Sequence, residues 1–95
     1  MKLISQMIHA DIAHKHGFFG DKIGIAFLDT GISPHKEFYP ADQRIAGFID
    51  YVHHRTSPYD DNGHGTHITG IAASANFGVA PKSHIISIKI GRAHV

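Results

Sequence analysis

The stretch Asp60-Asp61-Asn62-Gly63-His64-Gly65-Thr66-His67-Ile68-Thr69-Gly70 most constrains this chain, because a polar, glycine-bearing turn runs straight into an apolar pattern of helical period. Ile68, Ile71, Ala72 and Ala75 fall at i, i+3, i+4 and i+7, which predicts a helix that buries this stripe. Counting back four residues from Ile68 places His64 at the helix start, on its inward side. A helix start presents unsatisfied N–H groups and a partial positive charge, so it suits a neutral imidazole. His64 is therefore a candidate base, and Gly63 and Gly65 beside it permit other backbone to approach closely. On residue type alone, a structural histidine at a helix start explains the position as well.

The segments on either side predict a layered α/β arrangement. Ile4, Met7, Ile8, Ile12 and Ala13 recur at helical spacing over residues 4–15, and Gly17 is a plausible stop. Residues 23–28, Ile-Gly-Ile-Ala-Phe-Leu, are an apolar run of strand length without polar alternation, which predicts a strand covered on both faces. It ends at Asp29-Thr30-Gly31. Open parallel sheets place chemistry beyond the carboxyl ends of their strands, which makes Asp29 the second candidate. An aspartate closing a turn is the simpler alternative. A second strand is predicted over residues 45–51, interrupted by Gly47, and a third over residues 83–90. Residues 53–62 read as an exposed polar loop. The order strand, loop, strand, helix, strand implies a right-handed crossover and a mostly parallel sheet.

Composition narrows the partners. Ninety-five residues suit one small domain, and 42% apolar with 18% charged residues is ordinary for a globular chain. A net charge of +1 without basic runs argues against nucleic acid and against anionic membrane surfaces. The absence of cysteine excludes disulfides and thiolate metal sites. Gln6, His9 and Asp11 interrupt any apolar signal-peptide core in the opening residues, and the compartment stays open. Of the ten histidines, His14, His16, His35, His53 and His54 read as solvated surface residues.

Two motifs carry a resemblance. Ala26-Phe27-Leu28-Asp29-Thr30-Gly31-Ile32 resembles the aspartate motif of subtilisin-like serine proteases, and Asn62-Gly63-His64-Gly65-Thr66-His67-Ile68-Thr69-Gly70-Ile71-Ala72 resembles their histidine motif. Gly78-Val79-Ala80-Pro81 before an apolar strand is similar to the family's usual sequel. The resemblance implies the N-terminal part of the family's three-layer α/β fold with a mostly parallel sheet. It also implies peptide or protein substrates and a catalytic triad in the family's chain order of aspartate, histidine and serine. Asp29 would then orient His64, and His64 would take the proton of a serine hydroxyl. His67 would be a structural partner of the first helical turn, Gly70 would let the helix pack closely on the strand carrying Asp29, and Asp60 and Asp61 would complement the helix start.

The chain also departs from the family. None of Ser5, Ser33, Ser57, Ser74, Ser83 and Ser87 sits in a Gly-Thr-Ser-Met-Ala-like setting, so the chain as given is expected to lack the nucleophile and the activity. The loop after the helix offers only Asn76 as an obvious oxygen ligand, so no cofactor and no strong calcium site is expected. Ile90-Gly91-Arg92-Ala93-His94-Val95 matches the translation of a common sequencing-adapter read. Residues 1–89 are accordingly expected to be a partial peptidase domain and residues 90–95 a non-native tail. The alternatives are a metal-binding module, with His64 and His67 joined by Asp29, Asp60, Asp61 or His53, and a non-catalytic fragment that completes another chain. A protease-type zinc helix spaces its histidines i, i+4 with a glutamate between, which this sequence lacks. Exposed apolar strand faces are expected to make the isolated chain self-associate.

Overall fold

A three-stranded parallel sheet organises the described residues, 10–76 and 78–91 of this computed structural model. The elements are α1 (Ala10–Lys15), β1 (Gly24–Asp29), a 3-10 turn (Lys36–Phe38), the single-turn helix α2 (Ala41–Arg44), β2 (Ile45–Asp50), α3 (His64–Ala73) and β3 (His84–Lys89). The strand order is β1-β3-β2, so the last strand is the central one and the first two are edges. Half of the first predicted helix, including Ile4, Met7 and Ile8, lies outside the described residues; the other half is α1.

Strand alternation divides the sheet into two unlike faces. Asp29 aligns with Lys89 and Lys89 with Asp50, while Leu28 aligns with Ile88 and Ile88 with Ile49. A bulge between Ile45 and Gly47 lets Ile45 and Phe48, three residues apart, point the same way. The first face packs on α3 and on the segment between β1 and β2, around Ile32, Phe38, Ile45, Ala73 and Ile85. Phe38, Ile32 and Ile85 are almost fully buried, and such side chains stabilise by about 1.5–3 kcal/mol each. The second face is open: Leu28 is 58% and Ile49 47% exposed. The expectation that β1 is covered on both faces is therefore corrected for the described residues. Local apolarity reports that a strand face is suited to burial; the cover must come from another segment.

The helix also packs differently from its apolar stripe. Its buried residues are Gly65, Thr69, Gly70 and Ala73, whereas Ile68 is 38% exposed. Ala75 lies beyond the helix, its N–H donating to the Glu37 carbonyl. Small residues at i, i+4 and i+8 bring α3 close to the end of β1. A Cβ on Gly65 would collide with the Gly31 carbonyl oxygen, which makes Gly65 a point of close approach. Arg44 fixes the far end of α3, its Nη2 donating to the Ala73 carbonyl (2.6 Å) and its Nε to the Ser83 carbonyl (3.0 Å). A cation there also complements the negative end of the helix.

Gly63 and Gly65 flank His64 for different reasons, and substitution separates them. Gly63 caps α3 with φ 97° and has open space where a Cβ would go, a conformation that asparagine tolerates. Gly65→Ala should lower the unfolding free energy by about 2–3 kcal/mol, because the added methyl meets rigid backbone. Gly63→Asn should cost less than about 1 kcal/mol. Urea unfolding of the two variants beside the parent checks both values.

Candidate active site

The end of β1 and the start of α3 meet through Thr30. Its N–H donates to Asp29 Oδ1 (2.7 Å), and its hydroxyl accepts from the Gly65 N–H (2.8 Å) while donating to Asp60 Oδ1 (2.9 Å). Gly31, at φ 119°, then turns the chain hard against the Tyr59 carbonyl, which accepts the Ile32 N–H (3.1 Å). These bonds fix the strand end against the turn that leads into the helix.

His64 and Asp29 are brought together by this arrangement. His64 Nδ1 lies 2.8 Å from Asp29 Oδ1, and with the carboxylate accepting, the neutral ring is assigned as the Nδ1–H tautomer. Asp29 is buried, at 7% exposure, whereas the His64 side chain is 49% exposed. Nε2 is left without a hydrogen-bond partner among the described residues and is free to accept a proton. His67 stands apart from this pair. Its side chain is exposed and lines a cleft with His35, Phe38, Thr66 and Ser74.

Asp60 and Asp61 have unlike duties. Asp60 accepts from the N–H groups of Asn62, Gly63 and Thr66 and from the hydroxyls of Thr30 and Thr66, at 2.7–3.1 Å. Burial on its own raises the Asp60 carboxyl, and the donors, led by the Thr66 hydroxyl, override it and hold the group well below the usual carboxylate range. Asp61 turns the other way and accepts from Lys89 Nζ at 2.7 Å, a charged hydrogen bond that lowers its carboxyl. Its expected role at the helix start is corrected: the helix complement is Asp60.

Residues that sequence reasoning missed complete the surroundings. Lys89, only 2% exposed, also donates to the Thr30 carbonyl (2.6 Å) and stands 4.7 Å from the centre of the Tyr59 ring. The Tyr59 hydroxyl donates to the buried Asp50 carboxylate, which also accepts the N–H groups of Val52, His53 and Arg55. Burial raises the Asp50 carboxyl, but the Tyr59 hydroxyl and these amides outweigh it and hold the group well below its ordinary range. Burial and the Asp50 carboxylate push the Tyr59 phenol up to about 12. The sequence signal for Lys89 was its register: a lone cation two and four residues after Ser87 and Ile85, on the covered face.

The remaining candidates distribute as follows. His53 Nδ1 contacts the Tyr59 hydroxyl (3.1 Å), His35 Nδ1 accepts the Glu37 N–H (3.2 Å) and His14 Nε2 contacts the Val79 carbonyl (2.8 Å). Asn76 is engaged by Glu37, its Nδ2 donating to Oε2 at 2.8 Å. Among the described residues, no group of three or more His, Asp and Glu side chains is placed to share a metal ion, which leaves the metal-module alternative without a site there. Ser74 and Ser87 are buried, and the Ser83 hydroxyl donates to the Ala80 carbonyl. In the expected tail, the Ile90 N–H continues the ladder to the Asp29 carbonyl at 2.9 Å.

A parallel α/β sheet with an aspartate–histidine pair beyond a strand end defines a class of α/β proteins whose polar site lies at the carboxyl edge. The chain belongs to the subtilase family, whose model matches residues 20–94. It is 42% identical over 78 residues to the serine protease AprX of Bacillus subtilis, an alignment covering 75% of this chain and 17% of that protein. It is 39% identical over 88 residues to the thermostable alkaline protease of Halalkalibacterium halodurans, covering 87% of this chain and 23% of the relative. The solved structure of the Clostridium perfringens CspB protease superposes with a TM-score of 0.67 at 27% identity, covering 90% of this chain and 24% of that one. The chain thus spans less than a third of each of these proteins.

The depressed carboxyls have a measurable sign. A group whose folded pKa lies below its unfolded value adds stability that is present above about pH 4 and is lost as the pH falls further, because the unfolded chain then binds more protons. The unfolding free energy should therefore fall as the pH drops below about 4, and Asp60→Asn should make that fall shallower. Urea titrations at stepped acidic pH compare the slopes.

Proposed function

We propose that this chain supplies the aspartate and histidine half of a serine endopeptidase site. The observation that supports the reading best is the 2.8 Å hydrogen bond between Asp29 and His64 within the segment that matches the subtilase family. In this reading Asp29 fixes the His64 tautomer and stabilises the imidazolium, while Nε2 takes the proton of a serine hydroxyl and later returns it to the leaving amine. The serine attacks the peptide carbonyl to form an acyl-enzyme, which water then hydrolyses. Nucleophile and oxyanion donors come from polypeptide outside these 95 residues, and the substrates are peptides or proteins. Without them the base has nothing to activate, and the chain as given is inactive. The family relationship supports this reading at the level of a serine protease fragment.

A fluorogenic peptide assay with a serine-directed inhibitor tests both parts. The isolated chain should show no inhibitor-sensitive turnover. A chimera in which residues 20–89 replace the matched segment of AprX should show it, and His64→Ala in that chimera should lower kcat/KM at least ~100-fold. Turnover by the isolated chain would refute the missing nucleophile. An unchanged His64→Ala chimera would refute the base.

A further inference from the structure

A lysine on the covered face of a central strand needs a reason, because taking an ammonium out of water is costly unless it is fully hydrogen-bonded. Lys89 is held from three segments, by two oxygens that accept from its ammonium and by an aromatic ring beside it. Its Nζ donates to the Thr30 carbonyl at the end of β1 and to Asp61 in the turn before α3, and the Tyr59 ring stands beside it from the preceding loop. The Asp61 side chain is 61% exposed while that of Lys89 is 3% exposed, so the pair is anchored from inside. Of the three contacts, the one to Thr30 bears on the site. The Thr30 N–H holds the same Asp29 oxygen that accepts from His64, and the Thr30 hydroxyl holds the first turn of α3 through Gly65.

We propose that Lys89 is a positioning residue for the Asp29–His64 pair, clamping the Thr30 carbonyl and Asp61 together so that the strand end and the helix start keep one relative placement. The proposal rests on the reading of Asp29 and His64 as the two halves of a catalytic relay. Lys89 touches neither ring nor carboxylate of the pair and acts through Thr30. A neutral isostere leaves the Thr30 carbonyl buried with one donor fewer and frees Asp61 to swing into solvent. The Asp29 oxygen then loses its fixed orientation towards Nδ1. The lowered Asp61 carboxyl fits the same picture, since Lys89 is its principal cause.

Nitrogen-15 NMR of the full 95-residue chain tests the idea, with the His64 tautomer and its Nδ1–H proton as readout. That signal reports the hydrogen bond to Asp29 and requires no serine. Lys89→Met should keep the fold by circular dichroism yet lose the Nδ1–H signal and shift the ring towards the Nε2–H tautomer. Lys89→Arg, which keeps the donor charge, should retain the signal. Asp61→Asn, a change at an exposed side chain, should weaken it partway. A folded Lys89→Met variant with the parental His64 signal overturns the proposal. Where Lys89→Met fails to fold, an unaltered signal in Asp61→Asn overturns it instead. Asp29→Asn is the control that separates the two readings. If it leaves the His64 signal unchanged, the Asp29–His64 pair itself is refuted; if it removes the signal while Lys89→Met does not, the role of Lys89 alone fails.

Discussion

The approach of two glycine backbones, Gly65 on the first turn of α3 and Gly31 beyond β1, sets the distance on which everything else in this structure depends. A Cβ at either position would strike a carbonyl oxygen, Gly31 O in one case and Tyr59 O in the other. Backbone contact at that range brings the Gly65 N–H within reach of the Thr30 hydroxyl, and it sets the His64 ring over Asp29. An imidazole and a carboxylate 35 residues apart in sequence thus meet because the chain between them is allowed to touch itself. The helix pays no large side chain into this contact; Thr69 and Ala73 continue the same narrow face.

Around that contact, charge is handled by donors from the backbone more than by ion pairs. Asp60 collects three amides and two hydroxyls, and Asp50 three amides and a phenol. Carboxylates satisfied this way stay ionised despite partial burial, and they stiffen the loops whose amides they gather. The turn into α3 and the loop after β2 are each wound around such an acid. The His64 ring, by contrast, has a single side-chain partner among the described residues.

Much of this was legible in the sequence, and the failures share a cause. Asp29 and His64 could be singled out because their positions follow from local pattern: one ends an apolar run and the other opens a helical period. The parallel direction of the strands followed from the order of the elements, whereas the central place of β3 did not. The inward face of α3 was misread because an isoleucine stripe is the default for burial, whereas here the tight approach selects glycine, threonine and alanine and leaves Ile68 half outside. Lys89, Thr30 and Asp50 were missed because their partners lie on other strands and loops, and pairing across a sheet is a property of register that no single segment displays.

That register now carries a meaning of its own. Along β3, Ile86 and Ile88 point to the open apolar face while Ile85, Ser87 and Lys89 point to the covered one. Sliding the strand by one residue would exchange the two sets, driving an ammonium onto a hydrocarbon surface and leaving Asp61 and the Thr30 carbonyl facing an isoleucine. Sheets of purely apolar strands tolerate such slips at modest cost, since one isoleucine replaces another. Here the buried cation acts as a ruler: only one alignment of the central strand lets it reach its oxygens, so the geometry at the strand ends is checked each time the chain folds.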